Sequence, residues 1–282
     1  MIGRILRYAV ALLFAGTSPV LAQVDRVSPA FQLTHFEKVG NDYFYRYRLV
    51  GRGSGAERIS DVYLQITQPV TPSRPRVSPI RGVFLFDALA RESPPPQFGH
   101  PPLRIATPPN WSAAIYLQGV LSWGADRWAM GPNHGVLPNE VLEGFELISP
   151  ALPALRRFRA VPYRPVATLV DDPAARDTTW ILHTGVVLAP GWEASLVTGA
   201  YLMEQVRLAC DSYLLENCGR YLRLSDDVIE AENRRNDRAY NRALDVFAAF
   251  LKEDKGSHRN ATFVLSVTID ALRKRTPSQR GS

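Results

Sequence analysis

Cysteine is nearly absent from this chain, with Cys210 and Cys218 alone in 282 residues. Two thiols cannot build a disulfide-dense mini-scaffold, and with no histidine near them in sequence they fall short of the four ligands of a structural zinc site. Lysine is scarce too, occurring only at Lys38, Lys252, Lys255 and Lys274, so arginine carries most of the positive charge. The formal net charge is +6, or +4 without Arg4 and Arg7, and no Lys/Arg run has the form of a nucleic-acid-binding arm. A nucleic-acid partner is therefore not expected.

Long apolar runs are missing after residue 22: none approaches the roughly 18–20 residues of a membrane helix, so no transmembrane segment is expected there. The five histidines, His35, His100, His134, His183 and His258, lie far apart, and none has a partner at zincin spacing. Gly-x-Ser-x-Gly elbows, phosphate-cradling loops and dinucleotide fingerprints do not occur. Asp171-Asp172 and Asp226-Asp227 sit where a loop or helix begins, a place that suits negative charge without any catalytic role. No cofactor and no metal are expected.

The first 22 residues are informative. Arg4 and Arg7 give a basic start, Tyr8 to Gly16 an apolar run too short to span a bilayer, and Val20-Leu21-Ala22 a small-residue exit. This is the pattern of a secretory signal peptide, with cleavage expected near Ala22/Gln23 and an exported product, periplasmic or extracellular. About 260 residues remain, a comfortable length for two modest domains.

From Tyr43 the chain alternates, with Tyr43, Tyr45, Tyr47 and Leu49 on one face and Arg46 and Arg48 on the other. That is a strand with one wet side. A glycine-rich turn at 51–55 leads to a second alternation in which Val62, Leu64 and Ile66 face one way, and the two runs predict an antiparallel hairpin. Further short runs at 82–86, 115–123 and 144–148, each fenced by Pro, Gly or Asn, predict an all-β sandwich over residues 27–165. Of the 22 prolines, 11 lie between Pro69 and Pro109, which predicts loops and sheet edges around a single strand.

The segments Pro109-Asn-Trp-Ser, Leu121-Ser-Trp-Gly, 136–150 and 152–158 resemble a pattern of uncharacterised exported bacterial proteins in which these pieces close a sandwich. The chain departs from that pattern at Asn139 and Ala154, where glycine is expected. Trp111, Trp123 and Trp128 admit two roles: a flat platform for a sugar face, or core and rim rings that supply a sandwich's buried area.

Residues 166–193 carry linker-like composition, and helical periodicity begins at 194. Leu196, Tyr201, Leu202, Val206, Ala209 and Tyr213 approximate one helical face. A second helix is expected after an N-cap at Ser225, bent near 233–236, with Tyr240, Leu244, Phe247 and Leu251 inward; Gly256 marks its stop. A third presents Ala261, Val264, Leu265, Thr268, Ile269 and Leu272. Such stripes form the core of a helical bundle, expected over 194–276 with a disordered tail at 277–282. In an exported chain Cys210 and Cys218 are expected to bridge. Along one straight helix their Cα atoms would stand roughly 12 Å apart, beyond the roughly 7 Å that a disulfide tolerates. The first helix must therefore end between them, and Asn217 with Gly219 offers the break.

The pattern of Ser195, Leu196, Leu202 and Val206, then Leu224, Ser225 and Ala231, then Ala243, Phe247, Phe250, Leu251 and Lys252, the turn at 255–258, and Val264, Leu265, Ile269 and Leu272 resembles the FIMAH-type C-terminal helical module of exported bacterial proteins. That resemblance implies contacts with other macromolecules. The fold class expected is α+β as a two-domain chain, an antiparallel β-sandwich followed by a small helical bundle. The function expected is non-enzymatic binding of a surface macromolecule, protein or glycan; the alternative is a secreted hydrolase whose active-site residues are dispersed across the sandwich.

Overall fold

The computed structural model describes residues 30–51, 58–66, 83–86, 103–116, 119–125, 134–162 and 183–275. Strands come first: β1 (Phe31–Val39), β2 (Asp42–Val50), β3 (Ile59–Gln65), β4 (Val83–Phe86), β5 (Arg104–Ala106), β6 (Trp111–Tyr116), β7 (Val120–Ala125), β8 (Val141–Ser149), β9 (Pro153–Pro162) and β10 (His183–Pro190). Helices follow: α1 (Gly199–Asp211), α2 (Cys218–Asn233), α3 (Asp237–Glu253) and α4 (Arg259–Lys274). The fold class is that predicted, an antiparallel sandwich followed by a helical bundle. The signal segment 1–22 and the tail 277–282 lie outside the described residues.

The strands make two antiparallel sheets, one in the order β1-β2-β8-β5 and one in the order β10-β9-β3-β7-β6-β4. Each inner face is read off its alternation: Tyr45, Tyr47 and Leu49 from β2 and Val62 and Leu64 from β3 are fully buried. The predicted hairpin between these two strands does not form. β2 pairs with β1 and β8, whereas β3 pairs with β7 and β9, so the two apolar faces meet across the sandwich. Alternation specifies which side of a strand is buried and is silent on which neighbour covers it. The chain leaves β2 through Gly51, where a Cβ would lie 1.7 Å from the Leu137 carbonyl oxygen, so only glycine fits the crossing.

Two further expectations change. The single run predicted over 115–123 is two strands, β6 and β7, paired as a hairpin through the turn at Gly119 (φ +72°). The 166–193 stretch, expected to be irregular, contains β10, whose Gly185 to Pro190 pair with β9 from Phe158 back to Pro153. The sandwich therefore runs on to Pro190. Asn139, where the sequence led us to expect glycine, sits at φ +68°, a left-handed position that asparagine tolerates better than most residues. Ala154 is an ordinary buried strand residue.

In the helical part, Ser225 is not an N-cap. It lies inside α2 with its hydroxyl donating to the Tyr221 carbonyl, and the cap position falls instead to Asn217. The bend expected near 233–236 is a full break. Arg235 adopts φ +50°, its amide donates to Glu232 and that of Asn236 to Ala231, a Schellman turn, and the Asn236 side chain then caps α3. The inward stripe of α4 is as predicted. Buried side chains of sandwich and bundle form one continuous cluster, joined where Phe36 of β1 meets Phe263 of α4 at 5.3 Å between rings.

Candidate functional site

Because Val62 and Leu64 point inward, β3 must present Tyr63 and Gln65 on the outer face of the six-stranded sheet. By the same alternation Phe158 and Ala160 of β9 face the core, and Arg157 and Arg159 face out. Tyr63 and Arg159 are direct cross-strand partners, and the guanidinium lies 5.3 Å from the tyrosine ring centre. That cation–π contact holds the guanidinium over the ring without using its five donors.

One wall of this surface comes from the turn after α1. Cys210 and Cys218 are bridged, with Cα atoms 5.6 Å apart, and the helix ends at Asp211 as the geometry requires. The turn closes as a Schellman motif: the Tyr213 amide donates to Cys210 and the Leu214 amide to Ala209. Its left-handed position is held by Tyr213 at φ +58°, with the side chain 55% exposed. Asp211, Ser212 and Tyr213 so border a cleft of 980 Å³ whose floor includes Tyr63, Arg157 and Arg159.

A second cleft, of 510 Å³, adjoins it along α1, and Gln65, Arg157 and Asp211 line both. Arg157 and Asp211 form an ion pair at 3.3 Å between them. Arg156 also lines the second cleft, although it is only 3% exposed. Its Nε donates to the Pro190 carbonyl at 3.2 Å, Nη1 stands 3.9 Å from the Glu204 carboxylate, and Nη2 has no hydrogen-bond partner. Burial pushes the Tyr201 hydroxyl up to about 12, against the opposing effect of Arg156, and burial likewise raises the Tyr45 hydroxyl well above its ordinary value. Both phenols therefore stay protonated at neutral pH.

Trp111 and Trp123 belong to the core. They are 4% and 0% exposed, each packs edge-on against Phe145, and their indole N–H groups donate to the carbonyls of His134 and Ala106. Neither ring offers a face to a sugar, which corrects the platform expectation for these two; Trp128 lies outside the described residues. Among the described histidines, His35 faces Glu37 on an exposed edge, and His258 caps α4 by accepting from the Asn260 amide. Asp254 accepts from the hydroxyls of Tyr221 and Ser257 and from the amides of Gly256 and Ser257, which fixes the α3–α4 turn. The wet face of β3 was legible as alternation, but its meeting with β9 and the disulfide turn was not, because no local pattern encodes a contact between Arg157 and Asp211.

The sequence matches no protein-family model and no curated protein. Among solved structures, an uncharacterized protein from Nocardia farcinica with an immunoglobulin-like fold aligns over 57% of this chain and 96% of its own, at 12% identity and a TM-score of 0.28. The sandwich is defined by its own strand pairing.

Proposed function

We propose that this protein is an exported, non-enzymatic binding module that recognises a macromolecule of the cell surface or its surroundings through the paired clefts beside the Cys210–Cys218 turn. The observation that carries this is the wall itself: beside a disulfide, an exposed tyrosine sits in a backbone conformation tyrosine disfavours at the rim of the 980 Å³ cleft. Strain of this kind persists where the surroundings over-determine it, and it gathers at functional surfaces. Tyrosine and arginine are also the side chains that dominate binding hot spots. Export is supported by the basic and apolar opening of the sequence and by the disulfide, a bond that lasts in oxidising compartments. The resemblance of the helical part to FIMAH-type modules supports a role in contacts.

The mature chain, starting at Gln23, should be retained on insoluble envelope and matrix material. Arg157→Ala with Tyr213→Ala should cut that retention at least tenfold with the melting temperature unchanged. Equal retention of wild type and variant would overturn the assignment of the cleft. Edman sequencing of the protein recovered from its native host should begin near Gln23; an intact Met1 in the cytoplasm would overturn export.

A further inference from the structure

We infer that the ligand of these clefts is a carboxylated polysaccharide, an inference that rests on the cleft being the binding surface. The described lining carries four arginines, Arg156, Arg157, Arg159 and Arg207, against two acids, Glu204 and Asp211, so the channel attracts negative charge. Three features say how that charge is met. The Arg157–Asp211 pair is exposed by 61% and 63% at its two side chains, and such pairs contribute little, so Arg157 exchanges Asp211 for a ligand carboxylate at small cost. Arg159 is held over the Tyr63 ring by a cation–π contact, which leaves its fork of donors to meet a planar carboxylate. Arg156 is almost wholly buried yet keeps one donor, Nη2, without a partner, and it lines the second cleft. A buried guanidinium donor is costly to leave unpaired, and an anionic acceptor offsets that cost.

The centre of the floor favours a polysaccharide over an acidic peptide. β9 is paired with β10 along Pro153–Ala160 and with β3 from Phe158 to Pro162, and β3 is paired with β7 from Asp61 to Gln65, so where the larger cleft crosses Tyr63, Phe158 and Arg159 the main-chain groups are used within the sheet. An extended peptide gains its affinity from main-chain hydrogen bonds to a free strand edge, and this central part of the floor offers none; the edge strand β10 reaches the cleft along one side, through Thr184, Gly185 and Val186. A sugar polymer needs none. Its carboxylates match the arginine forks and its flat pyranose faces match the ring of Tyr213 at the rim, as apolar ring surfaces do elsewhere.

The test uses the mature full chain and three soluble probes at about 0.15 M salt, where surface attraction beyond roughly 8 Å is screened. Polygalacturonate should bind, dextran should not, and poly-L-glutamate should bind at least tenfold more weakly than polygalacturonate. Arg159→Ala should reduce polygalacturonate binding at least tenfold; Arg159→Lys, which keeps the charge and loses the fork, should reduce it less. Should Arg159→Ala fail to fold, the comparison of wild type with Arg159→Lys decides. Tyr213→Ala should weaken binding without changing its salt dependence. Equal affinity for poly-L-glutamate would mean an acidic protein partner, and equal affinity for dextran would mean that charge is not read; either overturns the inference. Loss of all three probes with cleft-dependent retention on envelope material would overturn the ligand class while leaving the cleft assignment standing. Retention indifferent to the cleft variants would overturn both.

Discussion

Tyr213 occupies a position that helices usually give to glycine. At φ +58° its Cβ crowds the backbone, a conformation that costs an ordinary residue roughly 1–2 kcal/mol, and here the Schellman hydrogen bonds and the neighbouring disulfide hold it in place. A residue kept for packing would be buried, whereas this side chain is 55% exposed beside a cleft. Tyr213→Gly should therefore raise stability, by up to about 1 kcal/mol, and weaken retention on envelope material. Denaturant unfolding and the retention assay measure the two effects on one protein. A fall in both would show that the ring is structural. Asn139 and Arg235 share the left-handed conformation but line neither cleft; they end a turn and a helix, and the same substitution there should change stability alone.

Among the elements, α4 carries the clearest dependence on pH. Its first turn is capped by His258, whose Nδ1 accepts from the Asn260 amide, so the cap exists only while that nitrogen is unprotonated. Burial lowers the His258 imidazole from its ordinary 6.5. The folded state then binds its proton more weakly than the unfolded state, so stability is full above about 6.5 and falls as pH drops below it. Burial alone would raise the Asp254 carboxyl, but hydrogen bonds from Ser257 and Tyr221, with the amides of Gly256 and Ser257, outweigh it and hold the group below its ordinary 3.8. Its contribution is complete above that value and is lost as pH falls through the lower, folded one. Melting should therefore weaken in two stages on acidification. His258→Asn supplies an acceptor that does not titrate and should abolish the first stage while leaving the second; a profile unchanged by this variant would remove His258 from the account. Much at this scale was legible in sequence, including the inward faces of β2, β3 and α4 and the stop of α1 between its cysteines. What escaped was partnership. Tyr47 and Val62 obey the same period-two rule whether their strands are neighbours in one sheet or face each other across two, and Ser225 looks like a cap until Asn217 is seen to start the helix a full two turns earlier.

For the whole molecule, the question is whether sandwich and bundle are two folding units or one. Their buried residues are continuous, and polar contacts cross the junction as well. Gln205 of α1, 0% exposed, accepts the Leu155 amide of β9 at 2.8 Å, so the bundle supplies a hydrogen bond that the sheet's own ladder does not. Farther along, Glu232 of α2 receives both the Gly199 amide at the start of α1 and Arg275 just past the end of α4, which ties the far side of the bundle together. A separable bundle would leave the Leu155 amide and the rings of Phe36 and Phe263 without their partners, so separation costs more than either part regains from water. Unfolding should then be one transition. Gln205→Leu fills the same space without the acceptor and should cost about 1–3 kcal/mol through the stranded amide. Helical circular dichroism reports on the bundle, and tryptophan fluorescence reports largely on the sandwich through Trp111 and Trp123. Because the deleted bond crosses the junction, both signals should shift by the same amount and stay coincident. A variant in which the helices melt first while the fluorescence transition stays put would establish two independent units, and the cleft between Arg157 and the disulfide turn would then open whenever the bundle does.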